Sequence, residues 1–139
     1  DQGKILGVAL LNRRPPGLFE YLRYCRPLLG YMRFDRLVCF FSFTEAADSV
    51  VRKASDFQWF LTVIAVDPKF QHRGLGRLFL ERGIEGYIRS HGGGCVAFIT
   101  CTPRNAHFYS SAGYRIVGEH SVSLDGNEVP VWSFEKVIE

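Results

Sequence analysis

The sequence lacks several features that would place a protein in a specialised class. None of its four cysteines forms a C-x-x-C pair or has a histidine at zinc-ligand spacing, so no zinc site is predicted. The longest apolar stretch, Leu37–Phe43, is too short to cross a bilayer, and no signal peptide is visible. A net charge of +3 is too small to indicate nucleic-acid binding. We therefore expect no metal, membrane or nucleic-acid partner, and a reducing, cytoplasmic location.

The composition that is present is typical of one folded domain. The chain has 139 residues, of which 47% are hydrophobic and 22% are charged, and it is long enough to bury a core. Residues 1–139 contain no repeat, linker or low-complexity segment, so a single domain is predicted. The first residue is Asp1 rather than methionine, which is consistent with a processed, trimmed or excised chain.

Hydrophobic periodicity predicts strands interleaved with helices. We expect strands at 4–11, 57–66, 95–101, 114–120 and 129–135, the last two joined by a turn at 125–127. Helices are expected at 18–25, 28–32, 44–54 and 74–91, with Thr44 as the cap of the third. Gly83 and Gly86 weaken the fourth helix unless close packing against the sheet requires them.

A basic, glycine-containing loop follows the apolar strand that ends at Val66. The N–H groups at the start of the next helix have no partner within it, and Lys69, Arg73 and Arg77 add positive charge, so the loop suits a phosphate or pyrophosphate. It has neither the G-x-x-x-x-G-K-[ST] spacing of a P-loop nor the G-x-G-x-x-G spacing of a dinucleotide site. A P-loop nucleotide site and a dinucleotide-binding site are therefore both disfavoured.

Two motifs together identify the loop more closely. Gln71-x-x-Gly74-x-Gly76 resembles the pyrophosphate loop of the GNAT superfamily of N-acetyltransferases, which bind acetyl-CoA. The later segment Asn105–Tyr114 resembles the N-x-x-x-Y-x-x-x-G-F/Y segment of the same superfamily. Because the two occur in the family's order, the pair is more specific than either motif alone. The resemblance extends over residues 57–136.

The resemblance implies a fold, a cofactor and a set of binding residues. The fold is α/β (α+β), with a mixed, mostly antiparallel sheet flanked by helices, and the cofactor is acetyl-CoA. The sheet opens beside the central strand, and strand backbone there pairs with the pantetheine arm. The cofactor-binding residues that it implies are Ile64, Ala65, Val66, Gln71, His72, Arg73, Gly74, Leu75, Gly76, Arg77, Asn105 and Phe108.

Tyr109 is the predicted catalytic residue, as the general acid that protonates the CoA thiolate. Ordinary phenol and thiol pKa values lie within about two units of each other, so this transfer is feasible. The alternative is that Tyr109 is one of many core aromatics. Its position four residues after Asn105 and four before Gly113 favours the catalytic role. No cysteine lies in either motif, so direct transfer without a covalent enzyme intermediate is expected.

The general base stays open. Several family members carry a glutamate on the central strand where this chain has Phe60. None of the alternatives is assigned, since each is more often a surface residue than a base, and they are Glu45, Asp48, Asp56, His107 and His120. The family's usual first strand and two helices are apparently absent. They either precede Asp1 or are replaced by the aromatic segment 18–55, which we expect to form part of an acceptor wall.

The predicted function is acetyl transfer from acetyl-CoA to a primary amine of a small molecule. The segment Gln58–Leu61 is similar to a puromycin-acetyltransferase-like subgroup that modifies small amines. Two alternatives remain: a non-catalytic acyl-CoA-binding domain, and an acetyltransferase of protein lysines or N-termini. The sequence determines neither the identity of the acceptor nor the oligomeric state, for which a homodimer is one option.

Overall fold

Five strands and several helices make up the described part of the chain. The computed structural model describes residues 3–15, 17, 19–20, 23, 26 and 34–139, so the helices predicted at 18–25 and 28–32 lie largely outside the described residues. The elements are β1 (Gly7–Asn12), α1 (Phe34–Ala54), β2 (Trp59–Val66), a 3-10 turn (Pro68–Phe70), α2 (Leu75–Leu78), a π-helical segment (Phe79–Glu85), α3 (Gly86–Ser90), β3 (Gly94–Thr100), α4 (Pro103–Ser111), β4 (Arg115–Leu124) and β5 (Asn127–Ile138).

The strands form one sheet in the order β1-β2-β3-β5-β4. Only β2 and β3 pair in parallel, while every other neighbouring pair is antiparallel. The predicted mixed, mostly antiparallel sheet is therefore confirmed. The last two strands are joined at Asp125 and Gly126, which both have positive φ, as a tight hairpin turn requires.

The start of α1 differs from the prediction. Thr44 does not cap this helix, because the helix already begins at Phe34 with Asp35 in its first turn. The Thr44 hydroxyl donates a hydrogen bond to the Phe40 carbonyl at 2.8 Å, one turn earlier. A threonine inside a helix can satisfy its hydroxyl in this way. Because threonine is also common at helix N-caps, this interior residue was wrongly predicted to be a cap.

The sheet is covered on both faces. On one face Leu80, Ile84 and Ile88 of the π-helical segment and α3 pack with Phe98 and Phe134 in the main buried cluster. On the other face a smaller cluster joins Val51 of α1 to Phe60 and Ala97. The helix α1 lies on this second face against β3, β4 and β5, and its Val51 packs with Phe60 of β2.

The predicted helix at 74–91 forms as a continuous run of α2, the π-helical segment and α3. A Cβ on Gly83 would lie 2.7 Å from Cδ2 of Phe79, a contact closer than real Cβ atoms make. Gly83 is therefore needed to accommodate the Phe79 ring within the helix itself, rather than to approach the sheet. The nearest atom to a Cβ on Gly86 is the Glu81 carbonyl oxygen at 4.0 Å, so no packing requirement applies there.

A buried carboxylate ties this helical run to the sheet. Glu85 is 5% exposed, and its Oε1 accepts hydrogen bonds from Lys136 Nζ at 2.8 Å and from the Tyr114 hydroxyl at 3.1 Å. Lys136 also donates to the Ala112 carbonyl at 3.1 Å, at the end of α4. The π-helical segment, β5 and the end of α4 are thus fixed to one another.

Replacing Lys136 with methionine is expected to lower the free energy of unfolding by about 2–3 kcal/mol, because it leaves the Glu85 carboxylate buried without its cation. Urea unfolding followed by circular dichroism measures this. The double variant Lys136→Met/Glu85→Gln should recover most of the loss, since it removes both charges. Equal stability of wild type and Lys136→Met would contradict the role of the pair.

Candidate cofactor and active site

The central strands separate partway along their length. Parallel pairing of β2 with β3 is limited to Trp59–Val96 and Phe60–Ala97. Beyond Phe60 the two strands open around a wedge cavity of about 250 Å³. Its lining residues are Leu61, Thr62, Val63, Ile64, Phe98, Ile99, Thr100, Asn105 and Tyr109. The edge of β2 that faces β3 is therefore available for main-chain hydrogen bonding beyond Phe60.

A larger groove of about 630 Å³ continues from the wedge to the loop before α2. Ile64, Asn105 and Tyr109 line both spaces, so the two are adjacent. The groove is lined by Ile64, Ala65, Val66, Gln71, His72, Gly74, Gly76, Arg77, Arg104, Asn105, Phe108 and Tyr109. All the predicted cofactor-binding residues except Arg73 and Leu75 are among them.

The side chains of those two residues are directed elsewhere. The Arg73 guanidinium lies over the ring of Phe70, with its Cζ 5.8 Å from the centroid. Leu75 lines a separate, apolar cavity of about 290 Å³ together with Leu78 and Phe79. Any contribution of Arg73 and Leu75 to the groove would come from their backbone N–H groups in the loop.

Two glycines shape the mouth of the groove. Gly74 is the cap of α2 and has a φ of 77°, a left-handed conformation that side chains rarely adopt. Gly76 has no such φ, and a Cβ there would lie 3.7 Å from Cζ of Phe108, an ordinary contact. That Cβ would stand next to Phe108, which lines the groove together with Gly76. The space beside the N–H groups of the first turn is thus kept open for an anion.

The loop is held in place by its own polar side chains. Gln71 Nε2 donates to the Val66 carbonyl at 2.9 Å, which ties the loop to the end of β2. Asp67 Oδ1 accepts from the Lys69 backbone N–H at 2.9 Å. This hydrogen bond, and the nearby Lys4 ammonium, keep the pKa of Asp67 below its usual value. The amide of Gln71 is therefore engaged in supporting the loop.

Positive charge gathers at the open side of the groove. Arg104 Nη2 lies 3.1 Å from Nδ1 of His72, which joins the start of α4 to the loop before α2. Arg77 is paired with Glu81 at 2.8 Å. Arg104 is not among the residues predicted from the sequence, although it directly precedes Asn105 and carries a positive charge. Only the fold shows that it meets His72, because the two lie on separate elements.

Tyr109 lies at the junction of the wedge and the groove. It is 7% exposed and packs against Phe98, with ring centroids 4.4 Å apart. Its hydroxyl has no hydrogen-bond partner among the described residues. Burial raises the pKa of Tyr109 to about 12. The expected match between phenol and thiol pKa values is therefore poorer than two ordinary groups would give, and the phenol holds its proton firmly at neutral pH.

The candidate bases occupy very different environments. Glu45 pairs with Arg52 on the exposed side of α1, while Asp56 and His107 are exposed. Both ring nitrogens of His120 are buried without a hydrogen-bond partner within the described ranges, and His120 lines none of the cavities described here. Asp48 is 1% exposed and lines a third cavity, on the α1 face of the sheet.

Across the ranges that the structure describes, no three histidine, cysteine, aspartate or glutamate side chains are grouped so that they could hold a metal ion. In the same ranges no helix is both long and apolar enough for a transmembrane span.

A family profile described as an acetyltransferase (GNAT) domain matches residues 35–116. The chain belongs to this family. The match includes α1, the loop before α2 and the helix α4 that carries Asn105 and Tyr109, whereas β1 and β5 lie outside it.

Solved structures with the same fold are N-acetyltransferases. Arylalkylamine N-acetyltransferase 2 from Aedes aegypti is 17% identical with a TM-score of 0.69, over 100% of this chain and 70% of that one. A polyamine N-acetyltransferase from Drosophila melanogaster is 18% identical with a TM-score of 0.59, over 99% and 71%. A mutant agmatine N-acetyltransferase in its apo form is 17% identical with a TM-score of 0.61, over 99% and 73%. At these identities the similarity establishes the fold.

Proposed function

We propose that this chain transfers an acetyl group from acetyl-CoA to the primary amine of a small molecule. The observation that carries the proposal is the groove at the glycine loop and the adjacent wedge cavity, which share Tyr109 as a lining residue. An anion-binding end and a proton-bearing end in adjacent spaces are what an acyl-CoA enzyme requires. Membership of the GNAT family and the amine substrates named for the similar structures support the proposal.

The residues of the groove suit the parts of this cofactor. Gly74 and Gly76 leave room beside the first-turn N–H groups for a pyrophosphate, and Arg77 and Arg104 supply positive charge next to it. The free edge of β2 near Ile64 can pair with the amide groups of the pantetheine arm. Acetyl-CoA, when bound, would supply the acetyl group as an activated thioester.

Tyr109 would act on the sulfur that leaves. Because burial keeps its pKa near 12, its Oη carries a proton at neutral pH and can donate a hydrogen bond to developing negative charge. Its ring is fixed by Phe98 and Phe134, at centroid distances of 4.4 and 5.8 Å, so the hydroxyl does not have to be ordered during the reaction.

One observation favours the binding-only alternative. Phe60 stands where the resemblance predicts a glutamate, so β2 itself offers no base. A domain that binds acyl-CoA without turning it over would tolerate this loss.

The aromatic residues of the cavity on the α1 face favour a small amine over a protein substrate, which would need an open peptide groove.

Turnover with a panel of acceptors tests the proposal. The 139-residue chain is incubated with acetyl-CoA and either small primary amines or lysine-containing peptides, while released thiol and product mass are followed. We expect acetylated small amines and no acetylated peptide. Acetyl-CoA binding without turnover on any acceptor would favour the binding-only domain, and peptide acetylation would favour the protein-directed enzyme.

A further inference from the structure

The apolar cavity that Leu75 lines is separate from the space assigned to acetyl-CoA. It has a volume of about 290 Å³ and lies between the start of β1 and the helical run that follows the glycine loop. Val66 lines this cavity and the cofactor groove, so the two spaces are neighbours. The side chains around the cavity are those of Leu6, Val66, Leu75, Leu78, Phe79 and Arg82. No step of the proposed acetyl transfer uses them.

Helical spacing brings one row of side chains to this cavity. Leu78 and Phe79 lie three and four residues after Leu75. Arg82 lies three residues after Phe79, so the four side chains share one face of the helical run. Gly76 lies on a different face and lines the cofactor groove instead. The same helical run therefore borders two spaces that can be filled at the same time.

Two glycines make room for the Phe79 ring between β1 and the helical run. A Cβ on Gly7 would lie 3.3 Å from Cδ1 of that ring, and a Cβ on Gly83 would lie 2.7 Å from Cδ2. A side chain at either position would displace the ring. Phe79 thus gives the cavity an apolar wall whose position is set by both neighbouring elements.

Arg82 is the only ionisable residue among the described residues that line the cavity. Its side chain is exposed, and it makes no ion pair with any described residue. The two acids nearest to it along the helix are engaged elsewhere, since Glu81 pairs with Arg77 and Glu85 pairs with Lys136. One positive charge at the edge of an apolar cavity is therefore available to a ligand.

We infer that this cavity binds an amphipathic monocarboxylate, with the alkyl chain against Leu75, Leu78 and Phe79 and the carboxylate on Arg82. A guanidinium offers its N–H donors in a planar fork that matches a carboxylate. Each methylene that leaves water adds to the affinity. Because no second cation is present among the described lining residues, a single negative charge is favoured over a doubly charged phosphate ester. The inference concerns a separate site and does not depend on the proposed acetyl transfer.

The size of the cavity limits the length of the ligand. Its volume of about 290 Å³ is at the lower end of the roughly 300–1,000 Å³ of drug-sized pockets. One alkyl chain of medium length suits this space, whereas a lipid with two chains does not. Leu78 is 44% exposed, so an alkyl chain in the cavity would cover apolar surface that is in contact with water.

Methyl NMR of the wild-type chain, titrated with octanoate, locates the site. The methyl signals of Leu75 and Leu78 are expected to shift saturably, with a dissociation constant of about 1 mM or lower. The signals of Leu61, in the wedge cavity, should stay unchanged, and the shifts of Leu75 and Leu78 should persist when acetyl-CoA is added. Absence of these shifts, or their loss on addition of acetyl-CoA, would overturn the inference. Shifts that follow the protein concentration alone would also overturn it, because a second copy would then cover the cavity.

Arg82→Gln tests recognition of the carboxylate. The variant is expected to raise the dissociation constant for octanoate about tenfold and to leave that for octanol within about twofold, because only the carboxylate contacts the guanidinium. Arg89→Gln is the matched control, since Arg89 lies on the same helical run and its Nε donates to the Glu139 carbonyl at 2.8 Å, outside the cavity. It should bind octanoate as wild type does. Equal octanoate binding by wild type and Arg82→Gln, or an equal loss in Arg89→Gln, would overturn the inference.

Discussion

Tyr109→Phe is expected to lower kcat about 100-fold and to leave the affinity for acetyl-CoA within about twofold of wild type. The variant keeps the ring that packs against Phe98 and Phe134 and removes only the hydroxyl, which makes no hydrogen bond to the described residues. Loss of turnover with retained binding is the pattern of a group that acts on the reacting atoms. Thiol release under saturating substrates and calorimetry measure the two quantities.

Tyr87→Phe is the matched control, because Tyr87 is 48% exposed and stacks on His91, outside the groove. It should retain wild-type kcat.

Alkaline unfolding provides an independent check on the environment of Tyr109. Its folded pKa of about 12 lies above the ordinary value of 10.0, so its stabilisation is complete below pH 10 and is lost as the pH rises through 12. Tyr109→Phe should therefore lose less stability over that pH interval than wild type does. In the kinetic experiment, an unchanged kcat for Tyr109→Phe would contradict the role of the hydroxyl.

Gly76→Ala is expected to raise the dissociation constant for acetyl-CoA at least about tenfold without destabilising the protein. The added methyl group meets only Phe108, at 3.7 Å, so the unliganded chain accommodates it. Alanine is favoured over glycine in a helix, and the free energy of unfolding should therefore rise by up to about 1 kcal/mol. Weaker binding with unchanged or higher stability would locate the pyrophosphate next to this residue.

Gly86→Ala is the control for helix propensity, because Gly86 lies on the same helical run and a Cβ there is 4.0 Å from its nearest neighbour. It should share the gain in stability and leave acetyl-CoA binding unchanged. If Gly76→Ala bound acetyl-CoA as tightly as Gly86→Ala does, the glycine loop would not be the site of close approach.

Much of the fold could be predicted because its signals are local. The strands around Ile64 and Phe98 are short apolar runs bounded by turn residues, and the helix after Gly74 begins at a glycine that the backbone requires. The helix start at Thr44 was predicted wrongly, because a threonine hydroxyl can bond either to the first turn of a helix or to the turn that precedes it. The composition of the sequence around Thr44 does not distinguish these two hydrogen-bonding arrangements.

The site was predictable only where its residues are close together in sequence. Gln71 to Gly76 and Asn105 to Tyr109 each carry a recognisable spacing, and the structure brings both segments to one groove. The contact between Arg104 and His72 and the burial of Asp48 depend on how separate elements pack. The five candidate bases were equivalent in the sequence, and only the fold shows that Asp48 is buried while Glu45 is exposed.

Calorimetric titration of the wild-type chain with acetyl-CoA tests the central claim most directly, since the groove and its glycine loop are assigned to that cofactor. We expect saturable, 1:1 binding with a dissociation constant in the micromolar range, which corresponds to roughly 8 kcal/mol at 1 μM. The predicted result is saturable binding by wild type that is weakened at least about tenfold in Gly76→Ala. No binding by wild type at millimolar acetyl-CoA would contradict it.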